Sequence, residues 1–304
     1  MLATLTQVLS RARKERYAVG AFNVNNLEVL QAITRAAGKL NSPVIVQTSE
    51  GAIAYAGMNY LHCMVLQAAK EKAVPIVFHL DHGRDIHLIK KAIKSGYTSV
   101  MIDGSHLPFE ENISVTAKVV GLAHAQGISV EGELGTIGGA EEKIVARKIQ
   151  YTDPAAAEEF VERTNVDALA IAIGTSHGAY KFTGTPYIDI ERLKKISARV
   201  KIPLVLHGAS EVPGWLVKTA EAYGARLGRP EGIPEAQIKT AIKNGITKIN
   251  TDTDLRLAFD AGVREVLQTT PQDFDPRHIL GRARELMQEV VEHRIKLFGS
   301  AGKI

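Results

Sequence analysis

PIVFHLDHG, from Pro75 to Gly83, opens as an unbroken apolar run of β-branched and aromatic residues and ends in His79, Asp81 and His82, with Gly83 closing it. A strand apolar on both faces is one buried on both faces, as in a parallel sheet. One that delivers acids and imidazoles only at its carboxyl end points to a site at the mouth of a parallel barrel. Alone, the Asp-His pair could equally cap the next helix. The pattern gains meaning by recurring.

Eight strand-like runs alternate with helical stretches, the signature of repeated βα units. They are YAVGAFNV from Tyr17, PVIVQTS from Pro43, PIVFHLD from Pro75, SVMIDGS from Ser99, ISVEGELG from Ile128, ALAIAIG from Ala168, PLVLHGA from Pro203 and TKINTDT from Thr247. Pro43, Pro75 and Pro203 stand at strand starts, where a missing N–H costs least. Amphipathic helices such as LEVLQAITRAAGKL and IHLIKKAIKSG lie between them. With no linker rich in Pro, Gly or Ser, the chain reads as α/β, a single (β/α)8 TIM barrel over residues 1–304 with extra C-terminal helices. Its 304 residues and 45% hydrophobic content can fill such a core.

The lone Cys63 excludes an internal disulfide framework and fits a reducing, cytoplasmic setting. Residues 1–10 lack the features of a secretory leader, and no run reaches the length of a membrane span. A net charge of +4 permits an anionic ligand without requiring one. No basic block interleaved with aromatics is present, so nucleic acid is set aside as a partner.

Three connections exceed the usual short loops. GTIGGAEEKIVARKIQ (135–150) and GTSHGAYKFTGTPY (174–187) follow strands five and six, and their glycines make them candidate lids over the catalytic face. GARLGRPEGIPEAQ (224–237) precedes strand eight and is expected on the opposite face. The last helical stretch, DPRHILGRARELMQEVVEHRIKLFG, is longer than a covering helix needs and is expected to pack on a partner subunit.

His82, His177 and His207 follow the ends of strands three, six and seven, too far apart for a local metal motif. A barrel brings all strand ends to one mouth, and three imidazoles with an open position make a catalytic zinc site. Glycines directly after His177 and His207 leave N–H groups free to approach an anion. Lys181, Ser210 and the helix start at Thr253 or Asp254, either of which could cap that helix, complete a phosphate cradle. Asp81 is a candidate general base. Glu131, Glu133 and Asp103 are candidates to orient the imidazoles, and Asp103 and Glu133 could also hold an alternative metal position. Glu141 and Glu142 ride on the first glycine-rich loop. Lys248 is placed too near the N-terminal end of strand eight to serve imine chemistry, so that chemistry is disfavoured.

FHLDHG, QTSEGAIAYAG, VEGELGTIGG, GTSHGAYK, LHGAS and KINTDTDLRLAF together resemble class II, metal-dependent fructose-1,6-bisphosphate aldolases of the shorter bacterial type, along the whole chain. The resemblance implies His82, His177 and His207 as ligands of zinc, or of another divalent ion such as cobalt. It implies Asp81 as the acid/base at the C4 hydroxyl, and Glu141 or its neighbour Glu142 as the loop acid. Gly178, Lys181, Gly208, Ser210 and Thr253 would bind the dihydroxyacetone phosphate end, with a monovalent cation nearby. Asn250 and Asp252 would meet the sugar hydroxyls, with Asn23 and Ser49 also on the substrate side. Arg256 would bind the second phosphate in a neighbouring subunit, implying a homodimer or homotetramer. Ala209 departs from a family glycine.

The implied reaction is reversible cleavage of fructose 1,6-bisphosphate to dihydroxyacetone phosphate and glyceraldehyde 3-phosphate, as in glycolysis and gluconeogenesis. A tagatose-1,6-bisphosphate aldolase is the near alternative, disfavoured by NTDTDLR. A non-catalytic accessory barrel would be expected to lack the histidines and Asp81. A zinc hydrolase would be expected to carry a His-x-His pair on strand one, where GAFNVN has none.

Overall fold

The computed structural model describes residues 1–141, 144–146, 149–177, 187–228 and 230–304, with backbone alone at 138–141, 144–146 and 177. The expected strands form at β1 (Val19–Asn23), β2 (Val44–Thr48), β3 (Ile76–Gly83), β4 (Ser99–Ile102), β5 (Ser129–Leu134), β6 (Ala168–Ile171), β7 (Leu204–Leu206) and β8 (Ile246–Thr251). All pair in parallel with their sequence neighbours, and β8 pairs with β1, closing a TIM barrel. Closure leaves the barrel no edge strands, and burial by the interior on one side and the helices on the other is why the strands tolerate apolar residues on both faces.

The two faces build two cores. Inward-facing Val19, Ala21, Ile45, Val77, Ala168, Ala170 and Val205 pack together in the barrel interior. Leu5, Leu9 and Ala12 join them from the helix Leu5–Glu15, which plugs the N-terminal end. That helix starts at a capping box between Thr4 and Gln7, whose reciprocal hydrogen bonds satisfy otherwise open N–H groups. The outward faces meet the surrounding helices in the larger core. Asp153 and Asp275 cap helices whose first residue is proline, where the absent N–H is no loss.

Two expectations are corrected, those for segment 224–237 and for Lys248. Segment 224–237 does not stay on the N-terminal face: Ile233 N–H donates to Ser210 O at 3.1 Å, returning the chain to the rim after β7. The helix Pro276–Phe298 spends its apolar face inside its own chain, burying Met287, Val291 and Ile295 against the helices Thr253–Thr269 and Leu27–Lys39. Gly262 permits that approach, because a Cβ there would lie 2.5 Å from Ala283 Cα. Lys248, expected near one end, lies fully buried in the barrel interior.

The long connections after β5 and β6 share one small sheet. Gly138–Glu141 pairs antiparallel with Ile144–Ala146 and parallel with Ser176–His177.

Candidate active site

β3 does something an ordinary strand cannot. Its pairing with β4 shifts register between Leu80 and Gly83, and His82 adopts φ +46°. Neighbouring strand residues ordinarily face opposite ways. The left-handed turn lets Asp81 and His82 address the same space, at a cost of about 1–2 kcal/mol for a non-glycine residue. Asp81, His82 and His207 each offer one ligand atom, all within 4.8 Å of one another. The rings of His82 and His207 stand edge to face, with centroids 4.6 Å apart.

Carboxylates set the tautomers. His82 Nδ1 lies 3.4 Å from Asp103 Oδ2 and 3.6 Å from Glu133 Oε2. A proton on Nδ1 therefore faces acids, and Nε2 carries the lone pair. In His207 the roles reverse: Nε2 lies 2.9 Å from Glu131 Oε1, which makes Nδ1 the ligand nitrogen. Burial works against a charged imidazole at both positions. For His82, the Asp81 charge and the hydrogen bond to Asp103 outweigh it and hold its pKa well above the usual histidine value. For His207, the hydrogen bond to Glu131 and the nearby Glu133 carboxylate do the same more weakly. Such partners make better ligands of the imidazoles.

Among the described residues, no hydrogen bond reaches the buried Glu133 Oε2, which lies 3.6 Å from the Nδ1 atoms of both His82 and His207. An orphaned carboxylate oxygen between two imidazoles is costly unless a cation is drawn in. The donor set of two imidazoles and adjacent carboxylates fits a divalent metal. Asp103 is fixed in turn: Arg84 donates to its Oδ2 from Nε at 3.0 Å, and Ser105 donates to its Oδ1 at 2.7 Å. Burial would raise the Asp103 pKa, yet His82, Ser105 and Arg84 hold it far below the usual carboxylate range.

Asp81 is held by three amides. Its Oδ2 accepts from Asn23 Nδ2 at 2.9 Å and Gln47 Nε2 at 3.0 Å, and its Oδ1 accepts from Asn250 Nδ2 at 3.1 Å. Asn250 is oriented from below by Lys248 Nζ, which lies 2.8 Å from its Oδ1. Lys248 is also 2.9 Å from Glu131 Oε2, so the interior lysine is ion-paired. Its burial overturns the positional argument against imine chemistry, and its pairing supplies a better one. Beneath them, His79 is stripped of charge by burial and by the Lys248 ammonium, its pKa pushed down to about 3.

The turn after β7 brings the remaining strand ends together. Gly208 has φ +62°, and a Cβ there would lie 2.6 Å from Ser176 O, so the His207 turn rests on the backbone preceding His177. The His177 backbone thus reaches the same rim, while its side chain lies outside the described residues, as does that of Glu141. Glu142, Gly178 and Lys181 lie outside them altogether. Ser210 is buried beside that turn.

Asn23, Ser49, Tyr55, Asp252 and Arg256 line a cavity of about 530 Å³ at the mouth. Arg256 Nη2 pairs with Asp252 Oδ2 of its own chain at 2.6 Å, with the arginine half exposed. Ser49 Oγ also caps the helix Glu50–Ala56 through Ala52 N–H. Neither Thr253 nor Asp254 caps the helix after β8: Asp252 stands at its N-cap, its side chain making no capping bond to the helix N–H groups, and Thr253 is the first helical residue. Asp254 instead turns inward, accepting from Glu211 and Val212 N–H and from Arg294.

Sequence reasoning missed Gln47 and Arg84 and misplaced Lys248. Gln47 and Lys248 left a signal, as polar residues within otherwise apolar strands. Arg84 left none.

A family model described as fructose-bisphosphate aldolase class-II matches residues 3–303. The chain is 52% identical to the fructose-bisphosphate aldolase of Thermus caldophilus over the full length of both. It is 50% identical to that of Giardia intestinalis, over 99% of this chain and 94% of the relative. Among solved structures, the YdjI aldolase of Escherichia coli K12 superposes with a TM-score of 0.81 at 36% identity, covering 100% of this chain and 99% of that one.

Proposed function

The chain belongs to the class II fructose-bisphosphate aldolase family, and from that premise we propose that it cleaves fructose 1,6-bisphosphate reversibly to dihydroxyacetone phosphate and glyceraldehyde 3-phosphate. The observation that carries the reading is Asp81, held by three amides beside His82 and His207.

His82 and His207 are the described side chains that would hold the metal, and His177, whose backbone reaches the same rim, is read as the third ligand. When bound, a divalent ion such as zinc supplies Lewis-acid stabilisation for the negative charge that cleavage leaves on the ketone-derived fragment. The protein supplies the rest. Asp81 takes the C4 hydroxyl proton as the C3–C4 bond breaks, and O4 becomes the aldehyde oxygen. The bond's electron pair stays with the dihydroxyacetone phosphate fragment, which is completed by a proton at C3 from the loop acid, Glu141 or Glu142. Amides at Asn23, Gln47 and Asn250 fix the Asp81 oxygens, so no reorganisation is needed at the moment of transfer. Gly208, Ser210, Thr253, Gly178 and Lys181 would take one phosphate, with a monovalent cation nearby, and Arg256 the other. Asp252 and Ser49 line the intervening mouth.

The chain is read as one domain acting as a homodimer or homotetramer in the cytoplasm. Among the described residues, no helix is long and apolar enough to cross a membrane. The test is cleavage of fructose and tagatose 1,6-bisphosphates before chelation, after it, and after zinc is restored. Faster fructose cleavage that disappears and returns with metal is expected. Activity surviving verified metal removal would overturn the metal role, and a tagatose preference would overturn the substrate.

A further inference from the structure

The face opposite the catalytic mouth carries a second cavity, about 1000 Å³ in volume, at the N-terminal end of the barrel. Among the described residues, six cations line it: Arg13, Lys14, Arg16, Lys194, Lys201 and Lys243. They come from three separate helices and the residues just beyond them, Leu5–Glu15, Ile190–Arg199 and Glu235–Lys243. All six are exposed.

Among the described residues, one acid, Asp167, lies in the lining, and both its oxygens are engaged. Its Oδ1 accepts from Thr6 Oγ1 at 3.1 Å, while Oδ2 accepts Val130 N–H at 2.7 Å and lies 2.8 Å from His124 Nε2. Lys194 pairs with Glu191. Among the described residues, no ion pair engages Arg13, Lys14, Arg16, Lys201 or Lys243. The full chain carries a net charge of only +4, so these five cations represent a local concentration of charge rather than a share of a uniformly basic surface.

Basic residues at helix C-termini also complement the helix dipole. That effect accounts for a cation at each helix end. It does not require three helix ends to surround one cavity, nor the hydroxyl and amide donors of Ser10, Ser197 and Asn244 between them. Arg16 is the telling position. It stands at a helix C-cap with φ 56°, where glycine or asparagine is the common choice, and it places a long cation on the cavity wall.

Exposed charges within about 8 Å of an anion in the cavity act on it without full screening at physiological ionic strength. Such a cavity concentrates multivalent anions. Its size lies at the upper end for a small-molecule site, and several separate cations suit an anion with several phosphates. We propose that this cavity binds an oligophosphate, either a free inorganic chain or the triphosphate of a nucleotide. The site is independent of the catalytic reading, because it shares no residue with the mouth.

The test is calorimetric titration of the full-length protein with inorganic tripolyphosphate, and separately with a nucleoside triphosphate. K201E/K243E is expected to weaken tripolyphosphate binding at one site per chain at least tenfold and to leave aldol cleavage unchanged. R13E/K14E, on a different helix, should weaken it similarly, and serves if the first variant fails a thermal-melt check of folding. Equal binding of both ligands assigns the free phosphate chain as sufficient, and tighter nucleotide binding assigns an added base contact; both support the site. Unchanged affinity in the folded variants, or nucleotide binding with no tripolyphosphate binding, overturns it.

Discussion

Lys248 Nζ and Glu131 Oε2 lie 2.9 Å apart in the barrel interior, and neither side chain has any solvent exposure. Removing one member of a buried pair strands the other charge, a loss of about 3–5 kcal/mol. Lys248→Met should destabilise the protein by that order in denaturant melts. The double variant K248M/E131Q should recover part of the loss. An unchanged melting midpoint for the single variant would show that the pair contributes nothing to folding.

Asp81 accepts three amide hydrogen bonds in the site. Asp81→Ala should lower kcat for cleavage by about 10²-fold or more, the scale of a lost general base. Metal content should stay at the parent level, because the imidazoles remain. Metal analysis beside steady-state kinetics separates the two roles; loss of metal together with rate would make Asp81 a ligand instead.

Asp103 links Arg84 to His82. Asp103→Asn weakens the acceptor that fixes the His82 ring, and metal affinity should fall by roughly 10–100-fold. Competition against a chromophoric chelator reads this directly. Parent affinity in D103N would remove Asp103 from the orienting set.

Tyr97 is buried and stacked on Phe78, with its hydroxyl 2.7 Å from Thr48 Oγ1. Burial pushes its pKa up from 10.0 to about 12. In the unfolded chain the phenol ionises first, so the unfolded state binds fewer protons between pH 10 and 12, and stability falls as pH rises through that window. The contribution is intact below pH 10 and amounts to about 3 kcal/mol once lost. Tyr97→Phe should cost about 1 kcal/mol at neutral pH, from the Thr48 hydroxyl left unpaired. It should also flatten the decline above pH 10. An identical alkaline slope in parent and variant would refute the assignment.

Much of this protein is written locally. Alternating βα units, apolar strand bodies and polar strand ends specified a closed parallel barrel, because backbone pairing and two-sided burial act on each segment alone. The same pattern placed Asp81, His82, His207 and Asn250 at one rim, since every strand of a barrel points its carboxyl end the same way. Relations between distant segments were decided only in three dimensions. Nothing near His82 in the chain announces that a left-handed turn would swing it beside Asp81, or that Arg84 would hold Asp103 behind it. Lys248 looked peripheral by its count along β8, yet its side chain runs inside the barrel to Glu131. Segment 224–237 was misplaced because loop position was counted from strand order, whereas its path follows the packing of Ile233 beneath Ser210. Residue types and their period are properties of the sequence; which charges meet, and which nitrogen of each histidine is left to bind, depend on distances that folding alone creates.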